Sequence, residues 1–439
     1  MQEPINNHHL SEKIDNRSAR AGVIGLGYVG LPLAVQIATA GYETIGFDVS
    51  QAKVEAINAG QSYIHDVSAR DLTKSVREKR LRATSDFSHL ATRDFISICV
   101  PTPLGKGKNP DMSYIITAIS EVKKQLRRGQ VIILESTTYP GTTDEVALPL
   151  LAETGLKVGE DFNLAFSPER IDPGNVRHNL KNTPKIIGGV TRNCTEIAQS
   201  FYQAFIDRVI PMSSSRAAEM VKILENTFRA INIGLANEIA IMCNRLDIDT
   251  WEVIEAASTK PFGFMPFYPG PGLGGHCIPV DPHYLLWKLK LMDYTARFIQ
   301  LADEINSSMP GLVVDKVVRI LNQHRKAVNG SKVLVLGVAY KKDIDDCRES
   351  PALDVILLLQ SRGAHVDYHD PFVPELKIDG IDLASVALDQ RLKEYDCVVL
   401  ITDHSSLNMK KIVDEAQAIV DTRNATKGII GYSHKILKI

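Results

Sequence analysis

The first half of the chain alternates short apolar runs with stretches in which apolar residues recur every three or four positions. The short runs predict parallel strands that are covered on both faces, and the periodic stretches predict amphipathic helices between them. The predicted strands cover residues 21–24, 43–47, 95–100, 131–135 and 163–167, and helices include 30–40, 53–59 and 113–126. This βαβ order predicts a doubly wound α/β sheet.

The period of the apolar residues changes in the middle of the chain. Between residues 217 and 246 they recur every three or four positions without a proline, and a similar stretch covers 294–322. Both stretches predict long helices, whose apolar faces are candidates for a subunit interface. The segment 261–282 is rich in Gly and Pro and is predicted to be an ordered loop.

The alternation of strands and helices resumes after Asn329-Gly330. Strands are predicted at 332–336, 364–368, 397–401 and 418–421, with helices at 351–361 and 409–415. We therefore expect an α/β protein with two Rossmann-like, doubly wound domains joined by a central all-helical domain. The expected division is a flexible N-terminal tail over 1–19, a first α/β domain over 20–213, a helical domain over 214–325 and a second α/β domain over 326–439.

Composition narrows the class of protein. Of 439 residues, 44% are hydrophobic and 23% charged, so each domain can bury a core. A net charge of −2 without long runs of like charge argues against nucleic acid as a partner. No stretch resembles a signal peptide or a membrane span, and the six scattered cysteines lack disulfide or zinc spacing. These features favour the cytoplasm.

Residues 21–30 predict a strand that enters a G-x-G-x-x-G turn and then a helix. Such glycines allow a tight turn, a close approach of a pyrophosphate and helix packing on the sheet. An acidic residue ends the next strand, where a carboxylate binds ribose and favours NAD over NADP. The expected NAD-binding residues are Gly25, Gly27, Tyr28, Val29, Gly30 and Asp48. An ordinary glycine-rich turn is the less favoured alternative.

Two further strand ends are candidates to border the same crevice, because open α/β sheets bind ligands beyond the carboxyl ends of their strands. They are Val100-Pro101-Thr102 and Ser136-Thr137, which supply hydroxyl groups and turns. Taken alone, each is better explained as a turn with local hydrogen bonds.

The segment 270–282 contains four glycines, then Cys277, with Asp281 four residues later. Glycines let the backbone crowd a ligand, and a cysteine near positive charge can be a nucleophile. In this setting we favour the nucleophile over a small buried hydrophobe. His276 and His283 complete no metal-ligand set, so no metal is expected.

Three polar residues elsewhere are candidates for the same chemistry. Lys222 and Asn226 are four apart on a predicted helix and therefore share a face, where they can stabilise an oxyanion. A solvated lysine explains this pattern equally well. Glu169 directly follows a strand, a suitable place for a general base, although an exposed loop ion pair is the commoner outcome.

These segments together resemble the UDP-glucose/GDP-mannose dehydrogenase family, in the right order from about residue 20 to residue 430. The matching motifs are Gly25–Gly30, Ser136-Thr137, Ser167-Pro168-Glu169-Arg170, Lys222 with Asn226, Gly274-Gly275-His276-Cys277 with Asp281, and Lys341-Lys342-Asp343 with Arg348-Glu349-Ser350. The resemblance implies an N-terminal NAD domain, a central helical dimerisation domain and a C-terminal domain that holds UDP. A homodimer or higher homo-oligomer is therefore expected.

The resemblance also implies a four-electron oxidation of a sugar C6 hydroxymethyl group with two NAD. The alcohol becomes an aldehyde, and the thiolate of Cys277 adds to give a thiohemiacetal. Oxidation of that adduct gives a thioester, which water hydrolyses to the acid.

The remaining roles are carried over by position. Lys222 and Asn226 would stabilise the oxyanions. Asp281 would act as a general acid or base toward the nucleophile or water. Glu169 would assist thioester hydrolysis, and Thr137 would help to hold water or cofactor.

Further contacts follow from the same resemblance. Arg170 and Gly274 join Glu169, Lys222 and Asn226 as expected substrate contacts. Lys341 is expected to contact substrate, and Arg348 is expected to contact cofactor.

The residues after the third motif, Pro168-Glu169-Arg170-Ile171-Asp172-Pro173-Gly174-Asn175, resemble the branch that acts on UDP-N-acetylhexosamines for surface polysaccharides. UDP-N-acetylglucosamine is the first candidate. The Ile171-Asp172 pair departs from the commonest form, so UDP-GalNAc, UDP-ManNAc and UDP-glucose stay open. The competing hypotheses are a two-electron β-hydroxyacid dehydrogenase and a nucleotide-sugar sensor without activity.

Overall fold

The computed structural model describes residues 7–64, 67–105, 107–172, 177–378, 380–388 and 392–439. Residues 173–175 of the motif after Glu169 lie outside the described residues. The chain forms two compact units, Met1–Glu225 with His283–Asp293, and Asn226–Pro282 with Tyr294–Ile439. Each unit has its own sheet.

An eight-stranded sheet forms the core of the first unit. Its strands are β1 Arg20–Ile24, β2 Glu43–Phe47, β3 Leu81–Thr84, β4 Phe95–Ile98, β5 Val131–Leu134, β6 Asn163–Phe166, β7 Lys185–Gly189 and β8 Val209–Pro211. They lie in the order β3-β2-β1-β4-β5-β6-β7-β8, with β6 and β7 antiparallel and all other neighbours parallel. Strands β4 to β7 are buried along their whole length, as the apolar runs predict.

Helices cover both faces of this sheet, as the βαβ pattern requires. They are α1 Asn7–Asp15, α2 Gly30–Thr39, α3 Gln51–Asn58, α4 Ala69–Arg77, α5 Ser113–Gln125, α6 Leu148–Ala152 and α7 Arg192–Gln203. A π-helical turn, Thr143–Ala147, leads into α6, and a 3₁₀ turn spans Phe87–Thr92.

Two long helices lie in the middle of the chain, as predicted: α8 Ser215–Leu246 and α11 Arg297–Gln323. Two short helices that were not predicted lie between them, α9 Thr250–Ser258 and α10 Asp281–Lys290. The Gly/Pro-rich segment before α10 has neither helix nor strand. None of the helices in the described part of the chain has both the length and the hydropathy needed to cross a bilayer.

The second unit contains a five-stranded parallel sheet in the order β10-β9-β13-β14-β15, with a separate antiparallel hairpin β11-β12. Its strands are β9 Lys332–Leu336, β10 His365–His369, β11 Glu375–Ile378, β12 Ile381–Ala384, β13 Cys397–Leu400, β14 Ile419–Asp421 and β15 Ile436–Lys438. Its helices are α12 Pro351–Ser361 and α13 Met409–Glu415, with 3₁₀ turns at Leu392–Glu394 and Ser433–Lys435.

Each sheet has one position where the strand order reverses. From β1 the chain runs outward through β2 and β3, and β4 then pairs with the other side of β1. In the second unit the same reversal falls between β9 and β13. Ligands bind at such switch points in open α/β sheets. The predicted fold class, two doubly wound sheets with a helical region between them in sequence, is confirmed.

The N-terminal tail differs from the prediction. A flexible tail over residues 1–19 is wrong for the described part, because α1 packs on the first unit. Leu10 and Ile14 are each only 3% exposed, and Lys13 pairs with Asp94 at 3.0 Å. Tyr42 also donates a hydrogen bond to the carbonyl of Ile14. Two apolar residues in a polar stretch were too weak a signal to reveal this helix.

If α1 is part of the core, Ile14→Ala should lower the free energy of unfolding by about 2–4 kcal/mol, since it leaves a cavity. The matched control is Ile430→Ala, at a residue 91% exposed, which should change stability by less than about 0.5 kcal/mol. Urea unfolding of both variants measures this difference. Equal stabilities would show that α1 does not contribute to the core.

Candidate active site

The glycine turn after β1 is shaped by close backbone contacts. Gly25 has a positive φ of 87°, and a Cβ there would lie 2.5 Å from the carbonyl oxygen of Cys99. A Cβ on Gly30 would lie 1.8 Å from the carbonyl oxygen of Gly25. Gly27, in contrast, has nothing within 4 Å of its Cβ position. The turn therefore leaves open backbone at the N-terminus of α2, which suits a pyrophosphate.

Asp48 lies beside this turn at the end of β2. Its carboxylate accepts hydrogen bonds from the N–H groups of Leu26 and Ser50, both at 2.9 Å. Lys53 Nζ lies 3.4 Å from the same carboxylate. A carboxylate can accept about four hydrogen bonds, so Asp48 can bond the backbone of the turn and still accept hydrogen bonds from ribose hydroxyls. The turn and this carboxylate together fit a dinucleotide that lacks a 2′-phosphate.

The other predicted strand ends lie at the same edge of the sheet, because β1, β4 and β5 are neighbours. Ser136 Oγ donates to the carbonyl of Val100 at 2.8 Å and joins the ends of β4 and β5. Tyr284 donates to the carbonyl of Thr102, and Thr137 is half-buried. The structure therefore brings residues 100–102 and Thr137 to the edge that carries the glycine turn.

Glu169 follows β6 and is 9% exposed. Its Oε1 accepts hydrogen bonds from the N–H groups of Arg170 and Ile171, both at 2.6 Å. The guanidinium of Arg170 bonds Glu225 at 2.5 Å and the carbonyl of Pro184 at 2.6 Å. Arg170 is thus engaged by its own unit, and Glu169 is fixed through one oxygen.

A buried ion pair, absent from the sequence-based site, lies next to Glu169. Lys185 Nζ bonds Glu135 at 2.7 Å and lies 3.4 Å from the carbonyl of Pro168, and Tyr202 donates to Glu135. Burial alone would lower the pKa of Lys185, but Glu135 and Glu169 outweigh it and raise that pKa. Lys185 therefore stays charged. A lysine inside the apolar run that forms β7 was the signal in the sequence.

On α8, Lys222 is buried and lies one turn after Glu219. The buried Glu219 accepts hydrogen bonds from the N–H groups of Gly141 and Thr143, at 2.5 and 2.8 Å, and from the Thr143 hydroxyl at 2.7 Å. It thereby ties α8 to the turn that follows Thr137. Burial raises the pKa of Glu219 to about 7, although these hydrogen bonds act in the opposite direction.

In the second unit Cys277 is exposed, whereas the other five cysteines, which all lie in the described part of the chain, are buried or half-buried. The carbonyl of Cys277 accepts a hydrogen bond from the N–H of Asp281 at 2.8 Å. Asp281 and Asn226 are both buried, and their side chains bond at 2.5 Å. The structure thus brings Cys277, Asp281 and Asn226 together within this unit.

The glycines before Cys277 are needed for packing. Cβ atoms on Gly274 and Gly275 would each lie 2.7 Å from side-chain atoms of Tyr340. The N–H of Gly275 also donates to the carbonyl of Arg348 at 3.1 Å. The side chain of Arg348 bonds Asp346 at 2.6 Å. The loop that carries Lys341 and Arg348 therefore supports the cysteine segment.

The switch point of the second sheet repeats the features of the first. Gly337 follows β9 with a φ of 79°, and its Cβ would lie 2.4 Å from the carbonyl oxygen of Thr402. Lys341 follows four residues later. Arg423, after β14, donates to the carbonyl of Ile401 at 2.8 Å and approaches Gly270 so closely that a Cβ there would lie 2.8 Å from its guanidinium. Arg423 is absent from the site expected from the sequence, where its only signal is its place after an apolar strand.

The predicted site residues fall in both units. The first contains the glycine turn, Asp48, residues 100–102, Thr137, Glu169, Arg170 and Lys222, and the second contains Asn226, Gly274, Cys277, Asp281, Lys341 and Arg348. Across the described ranges, no three His, Cys, Asp or Glu side chains are grouped so as to hold a metal ion.

Comparison with known proteins gives matches along most of the chain. Three models of the UDP-glucose/GDP-mannose dehydrogenase family match: the NAD binding domain over residues 19–206, the central domain over 216–308 and the UDP binding domain over 334–428. UDP-N-acetyl-D-mannosamine dehydrogenase of Pyrococcus horikoshii is 36% identical over 93% of this chain and 96% of its own length. UDP-N-acetyl-D-glucosamine 6-dehydrogenase of Pseudomonas aeruginosa is 34% identical over 93% of this chain and 97% of its own length.

A solved structure extends the likeness to the fold. The UDP-D-ManNAc dehydrogenase structure from Pyrococcus horikoshii superposes with a TM-score of 0.87, at 34% identity, and covers 96% of this chain and 99% of that chain.

The raised pKa of Glu219 predicts how stability depends on pH. Glu219 in the folded chain binds its proton more tightly than an ordinary carboxyl of pKa 4.5 does. Protonation of Glu219 therefore stabilises the fold at low pH, and this stabilisation is lost as the pH rises toward about 7. Glu219→Gln has no titrating group at this position and so lacks this pH dependence. The melting temperature of the parent relative to the variant should therefore be higher near about pH 5 than near about pH 8. A difference that is constant with pH, or of opposite sign, would contradict the raised pKa.

Proposed function

Since this chain belongs to the UDP-glucose/GDP-mannose dehydrogenase family and is an NAD-dependent UDP-sugar dehydrogenase, we propose that it oxidises the C6 hydroxymethyl group of a UDP-N-acetylhexosamine to a carboxylate. The family and the cofactor agree with the sequence-based expectation. The observation that carries the proposed reaction is the exposed Cys277 thiol beside the buried Asn226–Asp281 pair.

The glycine turn and Asp48 would hold NAD, with residues 100–102 and Thr137 at the same sheet edge, and Arg348 as a further contact. NAD, when bound, would accept the hydrides that the sugar loses, at two NAD for each sugar oxidised. The open backbone at Gly27 supports the placement of the pyrophosphate there. Asp48 selects the cofactor, because its charge repels a 2′-phosphate.

The switch point of the second sheet would hold UDP. Gly337 shapes the turn at the end of β9, and Lys341 and Arg423 supply positive charge in the same unit, which suits a diphosphate. Gly274, which packs under the loop of Lys341, would let the backbone come close to the sugar. Arg170, held by Glu225, supports the substrate contact proposed for Glu169.

The chain's own groups then carry out the steps on the sugar. The C6 alcohol loses a proton and a hydride to give an aldehyde, while Lys222 and Asn226 stabilise the charge that develops on oxygen. Cys277 Sγ adds to the aldehyde carbon and forms a C–S bond, which gives a thiohemiacetal. Loss of a second hydride and of the hydroxyl proton leaves a thioester.

Water completes the reaction. Glu169 takes a proton from a water molecule while the oxygen of that water attacks the thioester carbon. The C–S bond then breaks and releases the carboxylate product and the thiolate of Cys277. Thr137 would hold water or cofactor, and Asp281 would exchange protons with the thiol or water. The sulfur is needed because a free aldehyde has no hydride that leaves easily, whereas its tetrahedral thiolate adduct has one.

The choice of hexosamine rests on the resemblance of the Glu169 motif. UDP-N-acetylglucosamine is the first candidate, and its product would be used to build surface polysaccharides. UDP-N-acetylmannosamine is the second candidate, because the relative named for that substrate is 36% identical to this chain and the relative named for UDP-N-acetylglucosamine is 34% identical. UDP-GalNAc and UDP-glucose complete the set of substrates to test.

The chain would act as a homodimer. On α8, Phe228, Leu235 and Met242 are exposed, recur every seven residues and form an apolar stripe with Leu246. An exposed apolar stripe of this length marks an interaction surface, and pairing with the same stripe of a second copy covers it symmetrically. None of the six cysteines, all of them among the described residues, forms a disulfide, which supports the cytoplasm as the compartment.

Cys277→Ser should lower uronate formation at least about a hundredfold, because serine lacks the nucleophilicity of a thiolate. The first hydride transfer and NAD binding should persist. The measurement is the number of NADH formed per sugar across the panel of four UDP-sugars, with product mass. The parent should form two NADH, and Cys194→Ser, at a buried cysteine, serves as the matched control.

Other results would support the competing functions. One NADH per sugar from the parent indicates a two-electron dehydrogenase, and no NADH from any UDP-sugar indicates a sensor. Uronate formation by Cys277→Ser at the parent rate would rule out the thioester.

A charged residue placed in the apolar stripe of α8 tests whether this stripe forms the dimer interface. Leu235→Glu should shift the chain from dimer to monomer in sedimentation velocity, because two carboxylates would be buried opposite each other. Ile430→Glu, at an exposed apolar residue outside α8, should leave the dimer intact. A parent that is monomeric at micromolar concentration would contradict the proposal.

A further inference from the structure

A small cavity in the first unit is lined by Glu169, Thr183 and Lys185, together with Arg170, Ile171 and Leu180. We call it the Glu169 cavity. It leaves about 10 Å³ for the centre of a water molecule, which is close to the space that one ordered water needs. A sugar or a cofactor group is too large for it.

Two polar atoms in the wall of this cavity are buried without a hydrogen-bond partner among the described residues: Glu169 Oε2 and Thr183 Oγ1. Glu169 is itself more than nine-tenths buried. A buried polar atom left without a partner destabilises the fold, so such atoms normally bond to the protein or to ordered water.

Lys185 supplies the third group. Its ammonium has three N–H donors, and the hydrogen bonds to Glu135 and the carbonyl of Pro168 use two of them. One N–H is thus available in the wall of the Glu169 cavity. A water there would meet a carboxylate oxygen, a hydroxyl and an ammonium, which matches the usual two to four partners of a buried water.

We propose that the Glu169 cavity holds one ordered water, which bridges Glu169 Oε2, Thr183 Oγ1 and Lys185 Nζ and positions the carboxylate for thioester hydrolysis. This inference rests on the role proposed for Glu169. The N–H groups of Arg170 and Ile171 fix Oε1, and the bridging water fixes Oε2. The carboxylate is then held at both oxygens in the orientation in which it takes a proton.

Thr183 and Lys185 are therefore positioning residues that act through Glu169. The effect of losing the bridge is confined to the step in which Glu169 takes a proton from water. Both hydride transfers precede that step, so they should keep their rates.

Thr183→Val removes the hydroxyl with little change of shape, and Thr183→Ser keeps it. We expect the uronyl thioester on the Val variant to decay about three- to tenfold more slowly than on the parent, since one bridging hydrogen bond is lost. The adduct should accumulate during turnover, and Thr183→Ser should restore its decay. Decay is followed by intact mass after a single turnover with NAD and the UDP-sugar that the panel selects.

Thr154→Val, which removes the hydroxyl bonded to the carbonyl of Leu151, is the control and should leave the decay unchanged. Adduct decay at the parent rate in Thr183→Val would overturn the inference, as would equal slowing by Thr183→Ser. Equal slowing of the first hydride transfer would show a general structural defect instead and would also overturn it.

A crystal structure of the parent gives a test that does not depend on how the variants fold. We expect a density peak within hydrogen-bond distance of both Glu169 Oε2 and Thr183 Oγ1, and absence of that peak would overturn the inference. A parent that forms no covalent adduct would instead refute the proposed function, so the two failures are distinguishable.

Discussion

Close backbone contacts fix the turn at the switch point of each sheet, and with it the edge at which a nucleotide can bind. Gly25 and Gly30 in the first unit, and Gly337 in the second, lie where a Cβ would collide with a backbone oxygen. Only glycine permits these contacts, and they hold the turn after the first strand of each sheet. The first turn leaves open backbone at Gly27, which suits a nucleotide phosphate, whereas the N–H groups of Val338 and Ala339 in the second turn bond Asp370.

The acidic residues at the second strand end show how similar the two edges are. Asp48 accepts a hydrogen bond from the turn after β1, and Asp370 accepts hydrogen bonds from Val338 and Ala339 after β9. In the second unit Asp370 also bonds His404 at 2.9 Å, so its carboxylate is more fully occupied. The first carboxylate keeps acceptor capacity for a ribose, whereas the second mainly holds its own turn.

Sequence reasoning was strongest where a local pattern has one structural meaning. The strands β2 and β9 and the helix α12 begin and end where apolar periodicity predicted. The glycine turn with Asp48, and Cys277 with Asp281, were found because their spacing is local. Helix α1 was missed because its burial depends on Tyr42 and Asp94, far away in sequence. Lys185, Glu219 and Arg423 were missed for the same reason, since their partners come from distant segments.

The chemistry proposed for the chain needs a sulfur that reaches the sugar carbon while the nucleotide is held by the sheet edge of the same unit. The most direct test is a crystal structure with UDP-N-acetylglucosamine and NAD. The account predicts that UDP lies at the edge formed by Gly337 and Lys341, with the sugar C6 within about 3–3.5 Å of Cys277 Sγ. A UDP moiety bound elsewhere, or a C6 far from this sulfur, would contradict it.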